Sequence, residues 1–221
     1  MDIAANLKDV QGRIAQACER SHRSPGEITL VVVTKEVGVS AIRAAFDCGM
    51  RDFGENRVQE AEDKIAQLSD LRPDVTWHMV GHLQSNKAKT AVELFDIIHS
   101  IDSIKLAEIL SRRVEKSFPV LLQVNVMGEA TKSGFVVGEI ANAVNEIKKL
   151  PNLKVMGLMT IAPLVSEPEE VRPVFRKLRE LRDSLGLEHL SMGMTDDFEA
   201  AVEEGATMLR VGRAIFGERR Q

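Results

Sequence analysis

The chain alternates regularly between two hydrophobic periodicities, and this constrains its fold more than any other feature. Short runs rich in β-branched residues give way to stretches whose apolar residues recur at every third or fourth position. The first run, Thr29–Thr34, is apolar on both faces, as a strand buried on both sides must be. Seven further runs follow at Asp52–Gly54, Val75–Val80, Leu94–Ile98, Val120–Val126, Lys154–Met159, His189–Ser191 and Met208–Val211. Helical patterns separate them. One opens with Ser40 as its cap, carries Ile42, Ala45 and Phe46, and ends at Gly49. Others cover Arg57–Leu68, Ser85–Val92, Ile104–Lys116, Val137–Leu150, Pro168–Leu185, Asp196–Glu204 and a short piece at Arg213–Phe216.

Strand–helix alternation predicts a parallel sheet, and eight units predict a closed (β/α)8 TIM barrel over an open doubly wound sheet. Ahead of the first strand, Ile3, Leu7, Val10, Ile14 and Cys18 line one face of a helix over Asp2–Arg20, which Ser24-Pro25-Gly26 terminates. The expectation is therefore one barrel domain over residues 1–221, with residues 1–22 as an extra N-terminal helix packed on it. No linker, repeat or low-complexity segment divides the chain.

Composition narrows the function classes. The net charge is −4, so no field draws nucleic acid or an anionic membrane as a default partner. The apolar runs are far too short to span a bilayer, and the N-terminus lacks the pattern of a signal peptide. A cytoplasmic protein is expected, and no exposed apolar stripe requires a dimer. Cys18 and Cys48 make neither a disulfide framework nor a cysteine-rich zinc site. His78 and His82 have no third ligand near them in sequence, so no metal is expected. His22, His99 and His189 read as structural, and Glu129 and Lys132 as a solvated loop. Tyrosine is absent altogether, which removes every mechanism that needs a phenol as acid or base.

In such a barrel the chemistry lies at the C-terminal ends of the strands. Lys35 follows four apolar residues there. A partly desolvated lysine at that place would have a lowered pKa and an amine able to attack a carbonyl. A surface lysine snorkelling from a strand end is the plain alternative, and spacing alone does not separate the two. The loops after the last two strands carry Ser191, Gly193, Arg210, Gly212 and Arg213, a set suited to phosphate: a hydroxyl, backbone N–H groups open to close approach, and fixed positive charge. The competing reading has Thr195 or Asp196 merely capping a helix and the glycines turning the chain.

Motifs along nearly the whole chain then bear on that choice. Val33-Thr-Lys35, Gly54-Glu-Asn-Arg-Val-Gln-Glu60, the run from Trp77 to Lys87, Gln123-Val-Asn125, Gly157-Leu-Met-Thr160, the run from Leu190 to Phe198 and Arg210-Val-Gly-Arg-Ala-Ile-Phe-Gly217 occur in collinear order. In these the chain resembles the pyridoxal phosphate (PLP) homeostasis family, also called YggS/PROSC. The resemblance implies a barrel like the N-terminal domain of alanine racemase (PLP fold type III) with PLP on Lys35 as a Schiff base. It implies Arg210 facing the pyridine nitrogen, and Ser191, Gly193 and Gly212, helped by Arg213, holding the phosphate. Asn56, His82, Met159 and Thr160 would line the ring or its rim. The chain departs from the family pattern at Arg213, where many members carry Thr or Ser, at Thr195, where Ser is frequent, and at Arg57, where Tyr is common. Arg57 therefore receives no role.

An arginine opposite the pyridine nitrogen disfavours its protonation and weakens the cofactor as an electron sink. Alanine racemases compensate with a tyrosine from an additional domain, and this chain has no tyrosine. The expected function is PLP homeostasis: a carrier or buffer of PLP that passes it to apo-enzymes without efficient turnover and has no catalytic residues of its own. The alternative is a PLP-dependent amino-acid racemase of low activity, with a second base such as His82.

Overall fold

Strand β1 (Thr29–Val33) pairs in parallel with β2 (Asp52–Glu55) on one side and with the last strand, β9 (Met208–Val211), on the other. That double pairing closes the sheet. The remaining staves of this computed structural model are β3 (Thr76–Met79), β4 (Ile97–Ile101), β5 (Phe118–Asn125), β7 (Leu153–Met159) and β8 (His189–Ser191). They run around the ring as β1-β2-β3-β4-β5-β7-β8-β9. The structure describes residues 2–129, 131–163, 165 and 167–217. Among these, the expected TIM barrel of eight parallel strands is present, with one short addition: β6 (Phe135–Val136) pairs with β5 outside the ring.

Helices α2 (Val39–Asp47), α3 (Val58–Gln67), α4 (Ala88–Leu94), α5 (Ile104–Ser111), α6 (Ile140–Lys148), α7 (Arg172–Ser184), α8 (Phe198–Glu203) and α9 (Arg213–Phe216) follow the strands in turn. Their apolar stripes meet the outward faces of the strands, and the main core lies in that layer. Trp77 and Phe53 are fully buried there, with ring centroids 5.6 Å apart. Such a pair contributes about 1 kcal/mol beyond its area burial.

The N-terminal helix α1 (Ile3–Arg20) buries Leu7, Val10, Ile14, Ala17 and Cys18, the face its spacing predicts, against α2, α8 and α9. Asn6 Nδ2 donates to the Ile215 carbonyl at 2.8 Å, and Arg13 pairs with Glu199 at 2.8 Å.

Several boundaries differ from expectation. The fourth strand lies at Ile97–Ile101 rather than 94–98, because Leu94 still belongs to α4 and polar His99 and Ser100 hide the strand's true centre. Helix α2 is entered from Gly38, with no side-chain cap, so Ser40 is not the capping residue. Helix α5 stops at Ser111, whose hydroxyl donates to the Pro151 carbonyl at 2.5 Å; the chain must turn there to begin β5.

Inward-facing residues alternate with outward ones, as strand geometry demands. The interior holds an apolar group of Ile97, Leu121, Met159 and Met208. Two residues further along β4 and β9, on the same face, stand His99 and Arg210. The polar line described next starts from them.

Candidate functional site

A cavity of about 1080 Å³ opens at the C-terminal ends of the strands, and Lys35, Asn56, Arg210, Gly212 and Arg213 lie on its wall. Thr195 and Asp196, in the loop after β8, also line it. Lys35 is half-buried. It follows β1, where Val31 and Val33 face inward and Thr34 faces outward to Glu55. Arg213, at the start of α9, is paired with the Asp196 carboxylate.

The other expected residues are placed elsewhere. His82 is exposed and pairs with Asp102 at 3.0 Å; with Thr160 it lines a neighbouring cavity of about 260 Å³. That second cavity is walled in part by Glu129 and Lys132, so their loop is not simply solvated. Met159 is fully buried in the interior group. Gly193 has φ +92°, and a Cβ there would lie 2.6 Å from that of Ala201, so only glycine lets the loop pass.

Ser191 needs a correction. Its hydroxyl, expected at a phosphate, is buried inside the barrel, 2.6 Å from Arg210 Nη1 and 2.8 Å from His99 Nδ1. The hydroxyl at the mouth belongs to Thr195, whose Oγ1 accepts from Ala214 N–H at 3.3 Å. Nor is His99 without partners. Its Nε2 lies 2.9 Å from His78 Nδ1, and His78 Nε2 lies 3.0 Å from Asp52 Oδ1. A guanidinium can only donate. The arrangement that satisfies every group therefore runs one way: Arg210 to Ser191, Ser191 to His99, His99 to His78, and His78 to the Asp52 carboxylate. Arg210 Nη2 also donates to the Thr160 carbonyl at 2.8 Å.

Burial lowers the Arg210 pKa to about 10, against the opposing field of Asp197, so the group remains a cation at neutral pH. Burial, reinforced by His78 and Arg210, pushes His99 well below its ordinary value of 6.5 and keeps it neutral. The sign of the linkage follows. Unfolded, His99 takes up a proton near pH 6.5; folded, it does so only far lower. Its contribution is complete above that pH and is lost as the pH falls below it, by about 1.4 kcal/mol per unit. His189 shifts the same way, whereas Glu55, raised by burial, opposes both. Between about pH 7.5 and about pH 5.5, His99→Gln protein should therefore lose about 1 kcal/mol less stability than the parent in urea denaturation. Equal losses would remove His99 as a source of acid sensitivity.

No signal short of the fold identifies this line, because Asp52, His78, His99, Ser191 and Arg210 come from five separate strands. Among the described residues, no three His, Cys, Asp or Glu side chains are grouped so as to hold a metal ion. No helix among them is long and apolar enough to cross a membrane.

Known proteins resemble this chain in sequence and in fold. Residues 5–220 match the family described as alanine racemase, N-terminal domain. A protein of Aquifex aeolicus named pyridoxal phosphate homeostasis protein is 45 % identical over the full length of both chains. This chain belongs to the pyridoxal phosphate homeostasis protein family. A solved family structure, PipY of Synechococcus elongatus with PLP bound, superposes with a TM-score of 0.86 at 40 % identity, covering 98 % of this chain and all of that one. The alanine racemase of Corynebacterium glutamicum shares the fold, with a TM-score of 0.71 at 19 % identity, and the match covers 98 % of this chain and 61 % of the racemase.

Proposed function

We propose that this chain binds pyridoxal 5′-phosphate in the larger cavity, holds it covalently on Lys35 and releases it to apo-enzymes, acting as a carrier or buffer without efficient turnover. One observation carries the reading: an amine, a buried arginine and a hydroxyl-bearing loop line a single cavity of about 1080 Å³. That donor set suits a phosphorylated aromatic aldehyde. The names of the relatives and the PLP-bound PipY structure support the same ligand.

When bound, PLP supplies an aldehyde that condenses reversibly with an amine, and an electron sink whose strength depends on protonation of its ring nitrogen. Lys35 contributes its Nζ to the C=N bond as water leaves, and the return of water frees the ligand. Arg210 faces the ring nitrogen as a permanent donor, which works against protonation there. Its guanidinium is held by Ser191 and the Thr160 carbonyl, so Ser191 acts through Arg210. Gly193 and Gly212 let the two loops approach the phosphate, with the Thr195 hydroxyl and Arg213 as its polar contacts. Asn56 flanks the ring. Thr160 supports the site through its carbonyl, which accepts from Arg210, and Met159 packs in the interior group, while His82 stands on the neighbouring cavity.

The chain has no tyrosine, and His82 is paired with Asp102 on the neighbouring cavity, so neither a phenol nor this imidazole serves as a second acid or base beside Lys35. We place the protein in the cytoplasm as a monomer, with PLP and apo-enzymes as its partners. Loaded protein mixed with a PLP-free enzyme should restore that enzyme's activity faster than spontaneous dissociation allows. Amino acids incubated with loaded protein in deuterated water should keep their α-protons. Brisk α-exchange would establish a racemase-type enzyme instead of a carrier.

A further inference from the structure

Lys35 occupies a tight turn that is gripped from outside the barrel. Val37 N–H donates to the Thr34 carbonyl at 3.0 Å, which puts Lys35 and Glu36 at the centre of a four-residue turn. Glu36 has φ +61°, a left-handed conformation that a residue with a side chain adopts only at a cost. Such a conformation persists only where its surroundings enforce it.

Two groups that hold this turn come from a single helix. Lys64 Nζ, on α3, donates to the Thr34 carbonyl at 2.5 Å. The carboxylate of Glu60, one helical turn earlier, accepts from the Glu36 N–H. The carbonyl before Lys35 and the amide after it are thus both held by an i,i+4 pair. That pair is itself closed, with Lys64 Nζ 2.6 Å from Glu60 Oε1 and 2.9 Å from Glu55 Oε1. Glu55 Oε1 also accepts from the Thr34 hydroxyl at 2.6 Å. The three protons of the Lys64 ammonium are therefore matched by three acceptors. For Glu60, burial would raise the pKa, but the hydrogen bonds from Lys64 and the Glu36 amide outweigh it and hold the carboxyl below its ordinary value.

A buried ion pair is a weak device for stability, because desolvation offsets most of the attraction. Here its hydrogen bonds end on the backbone either side of Lys35, the one lysine among the described residues on the cavity wall. We propose that Glu60 and Lys64 are positioning residues for Lys35: they preset the 34–37 turn so that the amine is presented to the cavity before any aldehyde arrives. The proposal rests on Lys35 being the attachment point. Neither residue lines the cavity, so both act through the turn.

The test follows the growth of the yellow imine absorbance after pyridoxal phosphate is mixed with the folded protein, alongside the melting temperature. Glu60→Ala should slow condensation about tenfold, since small misplacements of a reacting group cost large factors in rate. Glu60→Gln keeps an oxygen acceptor for both Lys64 and the Glu36 amide, and should stay within about threefold of the parent. In the Glu60→Ala background, Glu36→Gly removes the cost of the left-handed conformation and should restore most of the lost rate. A role confined to stapling α3 onto the barrel predicts a lower melting temperature with no rescue by glycine. An unchanged rate in Glu60→Ala, or a loss that Glu36→Gly does not repair, overturns the proposal. Lys35→Ala run in parallel separates the two claims: if it still gives the reducible adduct, the reading of Lys35 fails rather than the clamp.

Discussion

Lys35→Ala protein should remain folded and yet lose the borohydride-reducible pyridoxyl group, together with most of its affinity for pyridoxal phosphate. Lys35 is half-buried in a turn and carries no part of the core, so its truncation leaves the barrel walls intact. What disappears is the nucleophile. Without the C=N bond, the ligand depends on the phosphate loops and on Arg210, and affinity should fall by about a hundredfold or more, equivalent to about 3 kcal/mol. Absorbance titration measures the affinity, and reduction followed by peptide mapping measures the attachment point. Stoichiometric label in Lys35→Ala protein, under conditions where parent protein is labelled once, would show that another amine is the attachment point.

The largest effect on stability is expected at Gly157. This residue lies within β7, directly beside β8, and a Cβ added to it would stand 2.0 Å from the His189 carbonyl oxygen. The obstruction is backbone, so no rotamer change relieves it. The neighbouring β5–β7 pairing already absorbs a register shift between Val120 and Leu121, which leaves little slack on the other side. Gly157→Ala should therefore cost about 3 kcal/mol or more, a large share of a typical domain's stability. The urea midpoint should fall steeply, and a loss below about 1 kcal/mol would mean that the strands separate more readily than their pairing implies.

Much of the barrel was legible because parallel strands buried on both faces read as unbroken apolar runs. The fourth strand was misframed for the converse reason. Its centre carries His99 and Ser100, which are polar and completely buried, while apolar Leu94 and Phe95 just before it belong to a helix end. The same inversion hid the hydrogen-bonded line through the barrel. Polar residues on strands look like exposed positions until the partners from other strands are known. Lys35, Asn56, Arg210, Gly212 and Arg213 could be assembled on one cavity because each follows or ends a strand at the same end of the barrel. Ser191 and Thr195 could not be told apart by chemistry. Strand alternation turns the first inward to Arg210 and leaves the second at the mouth. Nothing in the sequence assigned Glu60 or Lys64 a role, and only the approach of α3 to the first two strands shows what they touch.

The filled centre of the barrel has a consequence for traffic. Side chains from the strands, Ile97, Leu121, Met159 and Met208 among them, fill the bore, so the described residues leave a small molecule that enters at the rim no rear exit. Arrival and departure share one doorway. On the proposed carrier function, a recipient taking PLP directly would dock over the opening through which the next molecule would come, so loading and delivery would alternate in time instead of overlapping.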